Sequence, residues 1–274
     1  MDMDQQQKAA RFRALHDAPG VFLIPNPWDA GSARALSALG FQALATSSYA
    51  SAGAYGRLDG ELTREEALVE VAKIVRATPL PVSADLGRGF GDKTSDVAET
   101  IRRAADVGVV GASVEDATAD SSAPLYDLTV ATARVSAAVE AARALPFPFV
   151  VTARAENFVA GVPDLDDTIR RLRAYERAGA DVLFAPGLPD LSAVRTVCSS
   201  LSKPVNFMAG TRGRSFTVAE LARAGVKRIS FGASLFRAAM TTLIEDAREA
   251  LNHGTFNYAE GAMTSAEWRR LLVG

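Results

Sequence analysis

Short apolar runs alternate along the chain with stretches whose apolar residues recur at helical spacing. Four times the change is marked by a glycine, in SALGFQALATS, ADVGVVGASVE, ERAGADVLFAP and ARAGVKRISFG. Gly40, Gly108, Gly179 and Gly225 fit the left-handed position that closes a helix before the chain reverses. Adding VFLIP (21–25), PVSAD (81–85), FVVTAR (149–154) and PVNFM (204–208) gives eight predicted strands alternating with helices. The strands are mostly apolar on both faces, as in a parallel sheet covered by helices. Eight such units predict an α/β fold, a closed (β/α)8 TIM barrel. The competing open, doubly wound sheet usually announces a Gly-rich turn after its first strand, where this chain reads PNPWDAGS. Helix starts are marked by the capping-box spacings Thr63/Glu66, Thr217/Glu220 and Thr264/Glu267.

At 274 residues the chain has the length of one such barrel, and nothing in it reads as a linker. The expectation is a single domain, 1–274, with 258–274 as a C-terminal helical extension. There SAEWRRLL would put Trp268, Leu271 and Leu272 on one apolar face, to pack on its own barrel or on a partner subunit. The patch TADSSAP (118–124) reads as a long loop over the site.

Net charge is −2, with no long Lys/Arg block, which argues against nucleic acid as a partner. No run of 18 apolar residues suggests a membrane span, and the acidic, polar start lacks the pattern of a signal peptide, so a cytoplasmic protein is expected. The single cysteine, Cys198, excludes an internal disulfide and reads as part of a packed helix face. Two histidines, His16 and His253, are too few for a His-rich metal site and sit in helical end segments.

Charge returns at the strand ends. Asp85, Glu115 and Arg154 each end an apolar run, and in a parallel barrel those ends share one rim, where a charge must be paired, hydrated or coordinating something. Glu156, two residues beyond Arg154, falls on its side, while Asp116 follows Glu115. Successive N–H groups at Ser47, Ser48 and Tyr49 are positioned to cradle a carboxylate, and Asp59 ends the same loop. Arg212 and Arg214 follow the seventh strand.

In that order, a Ser-rich loop ending in Asp, an Asp-containing Gly-rich loop, a V-E-D and an A-R-x-E resemble the isocitrate lyase/phosphoenolpyruvate mutase superfamily. NPWDAGSARALSALGF (26–41) resembles its first βα unit, so the likeness covers nearly the whole chain. The resemblance implies a (β/α)8 lyase that holds a small 2-oxo acid on Mg²⁺ (or Mn²⁺). It makes Asp85 the direct metal ligand, with Asp59 and Glu115 holding the metal's waters. Ser47 and Ser48, with Tyr49 beside them, bind the substrate carboxylate, and Arg154 binds substrate and stabilises the enolate. It also implies a homodimer or homotetramer in which a late helix is exchanged between barrels.

Two departures narrow the expected activity. Where the family reads D-x-D-T-G-Y-G, this chain has Asp85, Leu86, Gly87, Arg88, Gly89, Phe90, Gly91. A second acid is missing, and Arg88 is positioned to hold an anionic substrate instead. Restoring the acid, Gly87→Asp, is expected to strengthen metal binding unless Gly87 has positive φ. Residues 117–126, ATADSSAPLY, contain neither the K-[KR]-C-G-H of isocitrate and methylisocitrate lyases nor the gating Asn of phosphonopyruvate enzymes. The expectation is a lyase or decarboxylase of an oxaloacetate-like 2-oxo acid. The alternatives are P–C cleavage or rearrangement of a phosphonopyruvate-like substrate, with Arg212 or Arg214 on the phosphonate, and a 2-oxo acid binding protein whose catalysis has decayed.

Overall fold

The structure, a computed structural model, describes residues 3–273. Helix α1 (Gln5–Asp17) opens on a capping box in which Asp4 and Gln7 satisfy each other's backbone N–H groups. The barrel follows as β1 (Phe22–Ile24), α2 (Ala30–Ala38), β2 (Leu44–Ala45), α3 (Ser48–Ala54), α4 (Arg64–Ala77), β3 (Val82–Asp85), α5 (Thr94–Asp106) and β4 (Gly111–Glu115). It continues with α6 (Leu128–Arg143), β5 (Val150–Arg154), α7 (Leu165–Arg177), β6 (Val182–Phe184), α8 (Leu191–Ser199), β7 (Val205–Met208), α9 (Val218–Arg223) and β8 (Arg228–Ser230). Helices α10 (Ser234–His253) and α11 (Ser265–Val273) complete the order.

All eight strands pair in parallel in the order β1-β8-β7-β6-β5-β4-β3-β2. The remaining gap is crossed by the Ala45 N–H, which donates to the Pro25 carbonyl at 3.0 Å. Each predicted strand is therefore present, and the sheet is a nearly closed (β/α)8 barrel. The four helix-closing glycines all have positive φ, from 89° to 99°, a region that costs side-chain-bearing residues energy. The three predicted capping boxes also form.

One end of the barrel is closed by α1, whose Ala9 and Phe12 pack with Ile24, Ala43, Val110 and Val150 in a small apolar cluster. Gly111 lets the Phe12 ring in, since a Cβ there would lie 2.9 Å from Phe12 Cε1. Burying such a ring contributes about 1.5–3 kcal/mol, which anchors a helix whose outward face is polar. The main core fills the space between barrel and helices, with Leu172, Leu183, Ile101 and Ile74 fully buried.

The interior layer below the mouth is polar, with Ser83, Ser113, Asn206, Arg228 and Ser230 lining the space, where barrels of this kind usually stack branched aliphatic side chains. No described helix is long and apolar enough to cross a membrane. Helix α11 lies against α2 of its own chain, with the Trp268 ring 3.7 Å from where a Cβ on Gly31 would stand.

Candidate active site

Strand ends deliver the charged groups to one rim, and Asp85 is the hub. Its backbone N–H donates to Thr46 Oγ1 at 2.9 Å, which fixes the loop relative to β2. Oδ2 accepts from Ser48 N and Oγ at 3.1 and 3.2 Å, while Oδ1 accepts from Ser113 Oγ at 3.2 Å and Arg154 Nη1 at 3.0 Å.

Arg154 spans three acids. Nη1 meets Asp85, Nη2 lies 3.3 Å from Glu115 Oε2, and Nε donates to Glu156 Oε1 at 2.8 Å. Its guanidinium also stands 5.1 Å from the centre of the Phe184 ring. Burial works against its charge, but Glu156, Glu115 and Asp85 outweigh that and hold it firmly protonated.

The acids exceed the positive charge available. Burial pushes Glu115 up to about 8, opposed by Arg154 and reinforced by Glu156, Asp85 and Asp59. Burial also raises Glu156, with Arg154 opposing, and it raises Asp59, with Asp85 adding to the shift. Four carboxylates thus surround one guanidinium, and a further cation would favour their charged forms. Among the described residues no three His, Cys, Asp or Glu side chains converge tightly enough to form a ready-made metal cage. The donor set fits a hydrated hard cation: oxygen ligands only, Asp85 central and other acids within reach through water, the pattern Mg²⁺ accepts.

Asp116 belongs to the wall behind. It is buried, its Oδ1 accepts from the Glu156 N–H at 2.8 Å, and its Oδ2 accepts from Arg171 Nη1 at 3.1 Å and Tyr175 Oη at 2.6 Å. Arg171, and not Arg154, therefore balances Asp116, and the network fixes the backbone that carries Glu156.

Two adjoining cavities share Asp59, Asp85, Thr46 and Ser48. The first, about 370 Å³, also contains Ser47, Tyr49 and Arg154, together with Asn206, Arg228 and Arg237 on the far wall. The second, about 670 Å³, contains Glu115, Arg88, Thr118 and Ala119. The 118–124 loop reaches the second cavity with its first residues only. Ser121 and Ser122 are exposed, and Ser122 bonds to Asp120.

The sequence-predicted residues are thus brought together with some changes of detail. Asp59, Asp85, Glu115, Arg154 and Glu156 converge. The cradle at 47–49 is partly taken: Ser48 N–H is bound to Asp85, and Ser47 Oγ caps α3 by accepting from Ala50 N at 3.3 Å. Tyr49 stands half-exposed at the rim. Arg88 lines the second cavity alone and pairs with Asp92 at 3.3 Å, while the buried Arg134 binds the carbonyls of Arg88 and Asp92 and so sets this loop's course.

Gly87 has φ +52°, the one condition under which backbone strain was expected to oppose the gain from Gly87→Asp. Arg214 is committed to the Gly187 carbonyl at 2.6 Å, and Arg212 is exposed outside both cavities. Cys198 is partly buried, and burial pushes its thiol up to about 11, the behaviour of an inert packing residue.

Arg228, Asn206 and Arg237 were missed. The available signal was the two-residue spacing of Arg228 and Ser230 within a strand, which puts both side chains on the interior face.

The sequence model of the phosphoenolpyruvate phosphomutase family matches residues 12–251. A crystal structure from Burkholderia cenocepacia J2315, provisionally called a lyase/mutase, is 48% identical, with TM-score 0.96, covering 98% of this chain and 97% of that one. The oxaloacetate decarboxylase of Ectopseudomonas mendocina is 30% identical over 245 residues, 87% of this chain and 82% of its own length. A phosphonopyruvate hydrolase solved with oxalate and Mg²⁺ shares the fold, with TM-score 0.86 at 23% identity, covering 99% of this chain and 95% of that one.

Proposed function

The chain belongs to the phosphoenolpyruvate phosphomutase family, within the isocitrate lyase/phosphoenolpyruvate mutase superfamily, and on that footing we propose a Mg²⁺-dependent lyase or decarboxylase that cleaves a carbon–carbon bond in an oxaloacetate-like 2-oxo acid. The observation that carries this reading is Arg154, held across Asp85, Glu115 and Glu156 at the barrel mouth inside a cluster with surplus carboxylates. The name of the decarboxylase relative supports the bond and substrate class.

The chemistry suits those residues. When the bond one carbon beyond a 2-oxo group breaks, its electron pair becomes the C2–C3 double bond, the carbonyl oxygen becomes an enolate oxygen, and the carboxyl group leaves as CO2. Arg154 is placed to donate to that oxygen through a planar fork that Glu156 fixes through Nε. Because these groups are already oriented, little reorganisation is needed as the charge develops. Asp85 would hold Mg²⁺, with Asp59 and Glu115 behind its waters. Once bound, the ion supplies positive charge that polarises the 2-oxo group. Closure of the barrel's far end by α1 leaves the mouth as the way in.

Arg212 and Arg214 give the phosphonate reading no support, because Arg214 is tied to the Gly187 carbonyl and Arg212 lies outside both cavities. Exposed Leu243, Ile244 and Leu251 on α10 support a homodimer or homotetramer. Oxaloacetate, methylisocitrate, isocitrate and phosphonopyruvate, each assayed with and without Mg²⁺, test the activity. Mg²⁺-dependent pyruvate release from oxaloacetate above the spontaneous rate is expected. Turnover of phosphonopyruvate alone would move the reaction to the P–C bond, and tight binding without turnover would favour a decayed enzyme.

A further inference from the structure

The first cavity is electrically two-sided. Its β2–β5 wall carries Asp59, Asp85 and Arg154, while its β7–β8 wall carries Arg228 and Arg237 and no acid. Arg228 is only 5% exposed. All its partners are neutral: Nε donates to Asn206 Oδ1 at 2.8 Å, Nη2 to Thr152 Oγ1 at 3.0 Å, and Nη1 lies 3.5 Å from His16 Nε2.

His16 is no counter-charge. Its Nδ1 is 2.9 Å from the Phe12 carbonyl, so that nitrogen carries the proton and Nε2 is the acceptor, and burial beside Arg228 holds the ring neutral, with its pKa lowered to about 3. Asp181, the acid beneath, is already engaged by Arg13 at 2.6 Å, Arg143 at 2.7 Å and the Val151 N–H at 2.9 Å. A guanidinium has five N–H donors, so one on each terminal nitrogen of Arg228 has no protein acceptor among the described residues. Burial lowers its pKa to about 9, which still leaves it charged at neutral pH. Arg237, in the first turn of α10, spends one terminal nitrogen on the Gly210 carbonyl at 3.3 Å and meets no carboxylate among the described residues.

A buried cation is normally paired, and one left unpaired against a cavity lined by Ser230 and Asn206 is arranged for an anion that arrives from outside. We propose that Arg228, with Arg237 at the rim above it, is the specificity-determining subsite for a second anionic group on the substrate, a carboxylate or phosphonate carried one carbon beyond the 2-oxo group. The proposal rests on the reading that the 2-oxo acid end sits at Asp85 and Arg154. The two ends of one molecule then match the two walls of one cavity, and a 2-oxo monocarboxylate leaves Arg228 unsatisfied. That penalty selects for the dianion, because discrimination is strongest where a missing partner strands a buried polar group.

The test is calorimetric binding to the Mg²⁺-loaded protein with four probes: oxalate, which occupies only the metal end, 2-oxobutyrate, 3,3-difluorooxaloacetate and phosphonopyruvate. The wild type should bind at least one of the last two about tenfold or more tighter than 2-oxobutyrate, the scale of a charge-assisted hydrogen bond. Whichever of them is tighter identifies carboxylate or phosphonate as the group held. In Arg228→Met that preference should fall below about threefold while oxalate affinity stays within about twofold of wild type. A preference that survives Arg228→Met with oxalate binding intact overturns the proposal, as does a wild type with no preference. If Arg228→Met does not fold, Arg237→Gln should weaken the preference about threefold or more, and an unchanged preference there counts against the subsite. Loss of oxalate binding by the folded wild type would instead refute the 2-oxo acid reading itself.

Discussion

Replacing Arg154 by lysine keeps the charge and removes the fork. The guanidinium reaches Asp85 at 3.0 Å, Glu115 at 3.3 Å and Glu156 at 2.8 Å at once, from three nitrogens held in one plane. An ammonium offers its three N–H donors from one point, so it cannot reproduce contacts made from three separate nitrogens, and it has no rigid direction left for an enolate oxygen. One lost charge-assisted hydrogen bond in the transition state is worth about 1.5–3 kcal/mol, so kcat/KM on the best substrate should fall roughly 10- to 150-fold. Stability should change little by comparison. The positive charge stays among Glu115 and Glu156, and the 3–5 kcal/mol cost of stranding a buried partner is largely avoided, leaving about 1 kcal/mol or a few degrees in Tm. Steady-state kinetics and thermal melts on the same preparation separate the two effects. An Arg154→Lys protein that melts early yet turns over at near-wild-type rates would show that the arginine is architectural, and the enolate-stabilising role would have to be reassigned.

His16 predicts an acid-sensitive barrel end. Its folded pKa of about 3 lies below the unfolded 6.5, so the unfolded chain binds more protons as pH falls from 6.5, and stability is lost in that window. His16→Phe, which fits edge-on against Phe12 and Phe22 at ring distances of 4.8 and 5.0 Å, should remove roughly 2–3 kcal/mol of the loss between pH 6.5 and 4.5 in urea melts. An unchanged difference between variant and wild type would place the acid sensitivity elsewhere. Gly87→Asp should lower Tm by roughly 2 °C, because φ +52° is costly with a side chain in both the free and metal-bound protein. Its Mg²⁺ affinity by calorimetry should nevertheless rise, and a fall in the folded variant would refute the electrostatic account of this loop. Ending the chain at Ala262 should reduce the oligomer seen by light scattering, and an unchanged oligomer would mean that α11 holds no subunits together.

The fold was legible because local chemistry repeats eight times. Gly40, Gly108, Gly179 and Gly225 stop helices through a conformation only glycine enters cheaply, and each is followed by an apolar run that parallel pairing accommodates. The charged rim was legible for the same reason, since Asp85, Glu115 and Arg154 end their strands and topology alone makes those ends neighbours. Directions within loops were not. The course of the Arg88 loop is set by Arg134, on α6, which grips the Arg88 carbonyl, and Ser48 spends its N–H on Asp85; both depend on partners distant in sequence. Arg228 was hidden by its surroundings, because a basic pair, Lys227 and Arg228, at the start of an apolar strand looks like a flank until α1 is known to bring His16 beneath it.

The central claim is that the acids around Asp85 serve a cation-assisted cleavage of a 2-oxo acid. CO2 release from oxaloacetate, measured for wild type and Asp85→Ala with Mg²⁺ and with EDTA, tests it most directly. Wild type should release CO2 above the spontaneous rate only with Mg²⁺, and Asp85→Ala, folded by its thermal melt, should match the spontaneous rate under both conditions. Undiminished activity in Asp85→Ala, or wild-type activity indifferent to EDTA, would contradict the account.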